Sequence, residues 1–293
     1  MGPGLDRGEG LSTAATHGRR RLQLGLLLSA PVGWLVVAYL GSLAVLFVAA
    51  FWQLDSFSGQ IVHSWTTSNF ETLINGDVYR TIVFRTVGIA AAVTVTCALL
   101  SFPIAFYMAK VATPRVRNVL VVAVLLPLWS SYLVKVYAWR TILNENGILN
   151  WLLDPFGLSG PGFGLVATWL VFTYLWLPFM ILPVYAGFER IPNSLLDASG
   201  DLGASAWRTF RTVILPLVFP SVVAGSIFTF SLTLGDYITP SLVSSSQFIG
   251  NVVYSNVGVA NNLPLAAAFA TVPVIVMIGY LIGARRLGAF DSL

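Results

Sequence analysis

The sequence predicts an all-α integral membrane protein with six transmembrane helices. Hydrophobic residues make up 56% of the 293 residues and charged residues only 10%, whereas soluble globular domains carry about 25% charged residues. Six apolar segments are each long enough for the roughly 20 residues that a helix needs to cross a bilayer. The net charge of +4 could suggest a nucleic-acid partner. However, the basic residues form short clusters beside apolar segments, which is typical of membrane topology signals, so membrane lipid is the expected environment.

The chain begins with a polar, Gly-rich segment, residues 1–23, that ends in Arg19, Arg20 and Arg21. Its composition predicts a mobile cytoplasmic tail ahead of a membrane domain at 24–293. The alternative is a twin-arginine export signal, because the arginines precede an apolar stretch. That stretch is too long for a signal peptide and lacks a recognisable cleavage site, so we predict that it is the first transmembrane helix.

The apolar segments place the six helices in order along the chain. The second contains no charged residue, and prolines interrupt several others, which membrane helices tolerate when neighbouring groups satisfy the freed carbonyls. The predicted helices are 24–52, 86–109, 119–137, 163–188, 213–237 and 263–284.

The distribution of basic residues predicts the orientation. Twelve of the sixteen basic residues lie in the tail, in the loop with Lys110, in the loop at about 190–212 and after the last helix. The other side holds only Arg80, Arg85, Lys135 and Arg140. Since positive loops stay in the cytoplasm, both termini and the 190–212 loop are expected there.

The 190–212 loop has the pattern of a folded element. Ser194 and Asp197 have the spacing of a capping box, and Gly203 can reverse the chain in a conformation that glycine adopts without strain. Ser205 can cap a second short helix, residues 206–211, that continues into the fifth membrane segment. Three apolar residues share one helical face and two aspartates another: Leu195, Ala198 and Leu202, and Asp197 and Asp201. The alternative is an ordinary amphipathic loop lying on lipid headgroups.

The same loop resembles the cytoplasmic "EAA" loop of ABC-importer membrane subunits. That pattern is E-A-A, three residues, G, nine residues, then I-x-L-P. Here the motif begins at Asp197, which stands in place of the usual Glu, and Ser199 stands in place of the second Ala. Gly203 is at the glycine position, and Val213, Leu215 and Pro216 end the motif at the same spacing. The resemblance implies a coupling helix between helices 4 and 5 that docks on an ATPase. The candidate coupling residues are Leu195, Asp197, Ala198, Asp201, Leu202 and Gly203.

Several polar residues near membrane depth are candidates for a substrate path. Asp236 could attract a cationic substrate, with Tyr237 offering a ring face, or it could simply end the fifth helix. Ser221, Gly225 and Thr229 recur every four residues, which indicates either close helix packing or a path lining. Arg85 and Lys135 could instead extend to the interface, and the aromatic residues from 129 to 139 could form an interfacial belt. The full candidate set is Trp129, Tyr132, Lys135, Ser221, Gly225, Thr229, Asp236 and Tyr237.

Other chemistries lack the residues that they need. The only histidines, His17 and His63, lie outside the predicted helices, which argues against bis-histidine haem and an intramembrane Ser–His protease. The single cysteine, Cys97, excludes an internal disulfide or a thiolate metal cluster. No phosphate-binding GxxxxGK[ST] motif occurs. We therefore expect no metal, no cofactor and no enzymatic activity in this chain; ATP and Mg²⁺ would be bound by separate ATPase subunits.

A wider resemblance covers roughly residues 78–285 and is closest in detail to polyamine-importer permeases of spermidine/putrescine systems. Its motifs are FPIAF (102–106), LPLWSSYLVKVYAW (126–139), NGILN (146–150), LPFMILP (177–183), GDYITP (235–240) and IGN (249–251). It implies a type I ABC-importer permease in a bacterial plasma membrane, with a second homologous permease, two ATPase subunits and an extracytoplasmic binding protein as partners. Relatives of these permeases import opines, other amines or organophosphonates, so those substrates remain alternatives. A stand-alone secondary transporter is a further alternative, which the near absence of charge within the helices disfavours.

Overall fold

The computed structural model describes residues 25, 27–55 and 57–286. The predicted basic tail, its three arginines and the export-signal alternative lie outside these residues, as does the C-terminal end. In chain order the elements are α1 (Leu27–Ala49), β1 (Gln53–Leu54), β2 (Ile61–Val62), α2 (Ser68–Asn75), α3 (Asp77–Val111), α4 (Pro114–Trp129), α5 (Tyr132–Leu143), α6 (Ile148–Leu153), α7 (Leu165–Glu189), α8 (Asn193–Asp201), α9 (Ala206–Gly235), α10 (Ile238–Val243), α11 (Ile249–Gly258) and α12 (Leu263–Arg286).

Five helices among the described residues are long and apolar enough to span a membrane: α1, α3, α7, α9 and α12. A sixth span results if α4 and α5, which meet at 94°, are counted together. These agree with the six predicted segments in order and approximate position. The largest shift is in α3, which begins nine residues earlier than predicted because its charged first turns continue the helix beyond the apolar core. Arg80 and Arg85 therefore lie on a helix and not in a loop.

The third predicted segment, 119–137, is present as a bent pair, α4 and α5. The chain is extended at Ser130 and Ser131, between α4 and α5. The Pro127 carbonyl near the break accepts hydrogen bonds from the Ser130 hydroxyl, at 2.9 Å, and from Lys135 Nζ, at 3.0 Å. Since serine and lysine side chains can satisfy the carbonyls that a helix end leaves open, the break is accommodated here.

The core is the bundle of α3, α7 and α9. Helix α7 is the most buried of the spans, and its large side chains Phe172, Met180 and Phe188 are completely or almost completely buried. Helix α1 is the least buried and contacts the rest of the bundle mainly where Ala49 and Ala50 meet α12. Helix α9 has α8 at its first residue, Ala206, and Asp236 directly after its last residue, Gly235. We call these two sides of the molecule the α8 end and the Asp236 end. They are far apart, because the 30 residues of this helix span about 45 Å.

The segments at the Asp236 end are more ordered than the sequence suggests. Strands β1 and β2 pair in antiparallel register, and the buried Asn69 side chain of α2 donates hydrogen bonds to the Ala50 and Trp52 carbonyls at 2.9 and 2.8 Å. The charge-free loop predicted after the fifth helix contains α10 and α11. Asn251 fastens these helices together, since its Nδ2 donates to the Tyr237 carbonyl and the Ser241 hydroxyl.

Candidate functional site

Helix α8 is the element predicted between the fourth and fifth spans, but it begins differently from the prediction. The helix starts at Asn193, directly after Pro192, and no side chain caps it. The capping box of Ser194 and Asp197 is therefore wrong. Pro192 sets the extended conformation that precedes the helix, so Ser194 already lies in the first turn and its hydroxyl is not at the capping position.

The end of α8 confirms the predicted reversal at Gly203, whose φ is +73°. The Gly203 N–H donates to the Gly200 carbonyl at 2.8 Å, and the Ala204 N–H donates to the Ser199 carbonyl at 3.1 Å. These two bonds form a Schellman motif, in which the residue with positive φ is normally glycine. The turn holds the α8 end in one fixed conformation.

The predicted second short helix is also confirmed. The Ser205 hydroxyl accepts a hydrogen bond from the Arg208 N–H at 3.4 Å at the start of α9, and α9 continues from Ala206 through a wider π-helical turn into the membrane span. Helices α8 and α9 are further joined by a 2.8 Å hydrogen bond between the hydroxyls of Ser199 and Thr209. A displacement of α8 would therefore act directly on the first turns of α9, which is 30 residues long.

Most of the surface of α8 is exposed. Leu196 packs against the core, whereas all the candidate coupling residues are exposed. Leu202, an aliphatic side chain at the tip of this surface, is 88% exposed. Trp207 is not among the predicted coupling residues, but it is 69% exposed and stacks on Phe210 with ring centroids 5.3 Å apart. The sequence could have indicated this residue, because Trp207 follows the predicted cap Ser205 by two residues and so lies in the first turn of the predicted short helix.

A polar network ties the start of α8 to neighbouring spans. Lys110 Nζ, near the end of α3, donates to the Ile191 carbonyl and, at 3.1 Å, to Asn193 Oδ1. On α4, Arg117 donates to the last carbonyls of α3 and lies 3.9 Å from Glu189 at the end of α7. Lys110 therefore joins the end of α3 to the first residue of α8, and Arg117 joins α4 to the ends of α3 and α7.

The stripe of small residues on α9 lies at helix contacts. A Cβ added to Gly187 of α7 would lie 2.4 Å from the Ser221 hydroxyl oxygen, so the two helices touch here. Gly225 and Thr229 are buried, and Thr229 Oγ1 lies 3.2 Å from the Ser226 carbonyl that accepts its hydrogen bond. Ser221 also lines a cavity of about 370 Å³ between α7 and α9. Of the two interpretations of the stripe, close helix packing and a path lining, these contacts agree with close helix packing.

Gly225→Ala is expected to lower stability by about 1–3 kcal/mol, as overpacking does. The added Cβ would lie 2.7 Å from Met180 Sδ and 3.1 Å from Met180 Cα on α7, so the helices must separate. Gly88→Ala is the matched control, because its Cβ would meet no atom within 4 Å. Thermal unfolding of the purified protein in detergent should show a lower Tm for the Gly225 variant only. Equal Tm values for both variants would contradict the tight contact.

At the Asp236 end of α9, one carboxylate organises three chain segments. Asp236 Oδ1 accepts hydrogen bonds from the N–H groups of Ile238 and Thr239, at 2.8 and 3.1 Å, at the start of α10. Its Oδ2 accepts from the Tyr132 hydroxyl of α5 and from the Thr239 hydroxyl. Asp236 therefore caps α10 and links it to the half of the broken span that follows the bend.

An open groove of about 380 Å³ lies beside this carboxylate. Among the described residues, no basic side chain lines this groove, and one lining residue, the aromatic Trp176, is absent from the predicted path set. The Trp176 ring is stacked near Tyr132, with centroids 6.0 Å apart, and its buried Nε1–H has no hydrogen-bond partner in the described structure. The lining residues are Tyr132, Trp176, Ser231, Leu232, Gly235, Asp236, Tyr237 and Ile238.

The other path candidates lie outside this groove. Lys135 folds back onto the Pro127 carbonyl at the helix break, and Trp129 at the end of α4 is 87% exposed. Tyr237 lines the groove but also stacks on Tyr254, with ring centroids 4.6 Å apart. The structure thus brings together Tyr132, Asp236 and Tyr237, and separates them from Trp129 and Lys135. Within the described residues, no three His, Cys, Asp or Glu side chains are placed to hold a metal ion.

These features define a helical membrane protein with a fixed surface helix between two spans and, at the opposite end, a groove that contains the Asp236 carboxyl group. Residues 101–287 match the family described as "Binding-protein-dependent transport system inner membrane component". The chain belongs to this family and is a multi-span inner-membrane permease subunit of an ABC importer, not an enzyme.

Two curated relatives and one solved structure show how far the similarity extends. The "Inner membrane ABC transporter permease protein YdcU" of Escherichia coli is 46% identical over 93% of this chain and 92% of its own length. The "Spermidine/putrescine transport system permease protein PotB" of Haemophilus influenzae is 32% identical over 69% and 72%. A chain of a bacterial ABC transporter that imports alginate has the same fold, with a TM-score of 0.72, 16% identity and coverage of 94% of this chain and 99% of that chain.

Proposed function

We propose that this permease translocates a small organic cation, most specifically a polyamine such as spermidine or putrescine, that an extracytoplasmic binding protein delivers. Two kinds of support agree. A permease named for spermidine and putrescine transport is 32% identical to the chain. The groove at the Asp236 end places a carboxylate and aromatic rings together without a basic side chain in its walls, which suits an ammonium group.

The observation that carries the cation assignment is that the Asp236 carboxyl group has no positively charged partner among the described residues. Its lone pairs are occupied by donors from Tyr132, Ile238 and Thr239, yet none of these partners is positively charged. The carboxylate therefore keeps a negative potential in the groove, where the Tyr132 and Trp176 rings offer faces to a cation. We assign the substrate path to this groove. Five of the candidate path residues do not line it: Trp129, Lys135, Ser221, Gly225 and Thr229.

We further propose that α8 is the coupling helix and that the α8 end faces the cytoplasm, as do both termini. Its exposed apolar residues, Leu195, Ala198 and Leu202, would occupy a cleft on an ATPase subunit, while Asp197 and Asp201 would meet basic groups there. The complete transporter would contain a second homologous permease and two such ATPase subunits, which would bind ATP and Mg²⁺. Closure of the ATPase pair on ATP would then move α8 and, through the Gly203 turn, α9.

The test is uptake of radiolabelled spermidine and putrescine by proteoliposomes that contain the complete complex and its binding protein, with ATP or with a non-hydrolysable analogue inside the vesicles. We expect uptake of at least one polyamine when the vesicles contain ATP and no uptake when they contain the analogue. ATP hydrolysis without polyamine uptake would overturn the substrate assignment and direct attention to opines, other amines and organophosphonates. Failure of the permease to co-purify with an ATPase subunit would overturn the coupling assignment and favour a stand-alone transporter.

A further inference from the structure

The polar network of Lys110, Arg117 and Glu189 at the α8 end does more than satisfy open carbonyls at helix ends, because it connects α3, α4, α7 and α8. We propose that Lys110 is a positioning residue through which displacement of α8 is passed to α3 and α4. This inference rests on the proposed coupling role of α8. It adds a second route for the movement, because the Gly203 turn connects α8 only to α9.

The first step is the double contact of Lys110. Its two acceptors, the Ile191 carbonyl and Asn193 Oδ1, stand on either side of Pro192. The ammonium group therefore holds both the α7–α8 connection and the first residue of α8. Lys110 itself lies in the π-helical last turn of α3, Tyr107–Val111, so the contact joins the end of one span directly to the start of the surface helix.

The second step is the attachment of α4 to the same turn. Arg117 Nε donates to the Met108 carbonyl and Arg117 Nη2 donates to the Ala109 carbonyl, both at 3.1 Å. These are carbonyls at the end of α3, which need partners from outside the helix. The two residues immediately precede Lys110, so α3 and α4 are fastened together at the point where Lys110 holds α8.

The third step is the end of α7. Glu189 lies 3.9 Å from Arg117 and accepts a hydrogen bond from the Tyr185 hydroxyl. With this contact, α3, α4 and α7 form one connected unit at the α8 end. Helix α8 is then held at its start by Lys110 and at its end by the Gly203 turn and the Ser199–Thr209 hydrogen bond. A displacement of α8 would therefore move α9 together with the connected unit of α3, α4 and α7.

Lys110→Met tests the inference, because methionine keeps most of the side-chain length but has no donor and no charge. We expect complexes with this variant to assemble and hydrolyse ATP, while polyamine uptake per ATP falls about fivefold, at the low end of typical coupling effects. Arg115→Met is the matched control: Arg115 is exposed in the first turn of α4 and makes no hydrogen bond or ion pair within the described residues, so its uptake per ATP should be unchanged. Lys110→Arg, which retains charge and donors, should restore most of the coupling.

A purely structural role for Lys110 predicts a different result. The Lys110→Met variant would then yield less assembled complex, but each complex would keep its normal uptake per ATP, and this outcome would overturn the inference.

A second readout does not depend on the substrate. Spin labels on Ser194→Cys of α8 and Asn118→Cys of α4 report whether the two helices move together. With Lys110 in place, the distribution of distances between the labels should stay narrow upon ATP binding, and in the Lys110→Met variant it should broaden. An unchanged distribution in the variant would also overturn the inference, whereas absence of polyamine uptake by the wild-type complex would overturn only the substrate assignment.

Discussion

Gly203→Pro is expected to leave the permease inserted in the membrane and to lower ATP-driven uptake by about tenfold or more, a typical magnitude for loss of coupling. The native φ of +73° cannot be adopted by proline, whose ring fixes φ near −65°. Proline also lacks the N–H that Gly203 donates to the Gly200 carbonyl at 2.8 Å. The Schellman motif is lost, and α8 no longer holds its position relative to α9. The measurement is uptake per ATP hydrolysed in proteoliposomes.

A graded series separates conformational strain from general damage to α8. Gly203→Ala keeps the N–H but is strained at positive φ, by about 1–2 kcal/mol, so its effect should be intermediate. Gly200→Ala is the control, because Gly200 is helical and a Cβ there meets no atom within 4 Å; its uptake should be normal. Normal uptake by Gly203→Pro would show that the α8 turn does not couple ATP hydrolysis to transport.

The features that the sequence predicts well are those with local signals. The apolar segments are continuous in the chain, so their order and approximate position follow from composition and length. Gly203 and Ser205 are also local, since a positive φ favours glycine and a helix start favours serine. The structure confirms the positive φ at Gly203 and the helix start at Ser205.

The features that the sequence misses depend on contacts between distant residues or on competing local signals. Ser194 and Asp197 have capping-box spacing, but the helix begins at Asn193, directly after Pro192, which is two residues earlier than a Ser194 cap would place it. The 94° bend between α4 and α5 occurs within a stretch that is apolar on both sides, and hydropathy does not report bending. Likewise, α10 and α11 are too short to be distinguished from a loop by periodicity alone.

The groove shows the same limitation at the level of function. Tyr132 and Asp236 are both candidates in the sequence, but they are 104 residues apart, and nothing local indicates that one donates a hydrogen bond to the other. Trp176 lies in an apolar segment where a tryptophan is ordinarily a core residue, so it gives no separate signal. Similarly, the contacts of Lys110 with Ile191 and Asn193 cross more than 80 positions. Such sites are defined by tertiary structure.

Asp236→Asn is expected to lower the maximal rate of polyamine uptake about tenfold, equivalent to about 1.4 kcal/mol. Asparagine can keep much of the local geometry: its Oδ1 can accept from the N–H groups of Ile238 and Thr239, and its Nδ2 can donate to the Tyr132 or Thr239 hydroxyl oxygen. Only the negative charge is removed, and with it the electrostatic attraction for an ammonium group in the groove. Uptake should be measured at a saturating concentration of the loaded binding protein, so that its own selectivity does not limit the rate.

Three further variants make this result specific to charge in the groove. Glu145→Gln removes a carboxylate that is exposed and makes no hydrogen bond or ion pair within the described residues, so uptake should be unchanged. Tyr132→Phe keeps the Asp236 charge while removing one donor, so it should reduce uptake less than Asp236→Asn. Asp236→Ala also removes the cap of α10, which costs about 0.5–2 kcal/mol, so it should lower the Tm as well as uptake. If Asp236→Asn left polyamine uptake unchanged, the carboxylate would be only a helix cap; if it raised the uptake of an organophosphonate, the natural substrate would be an anion.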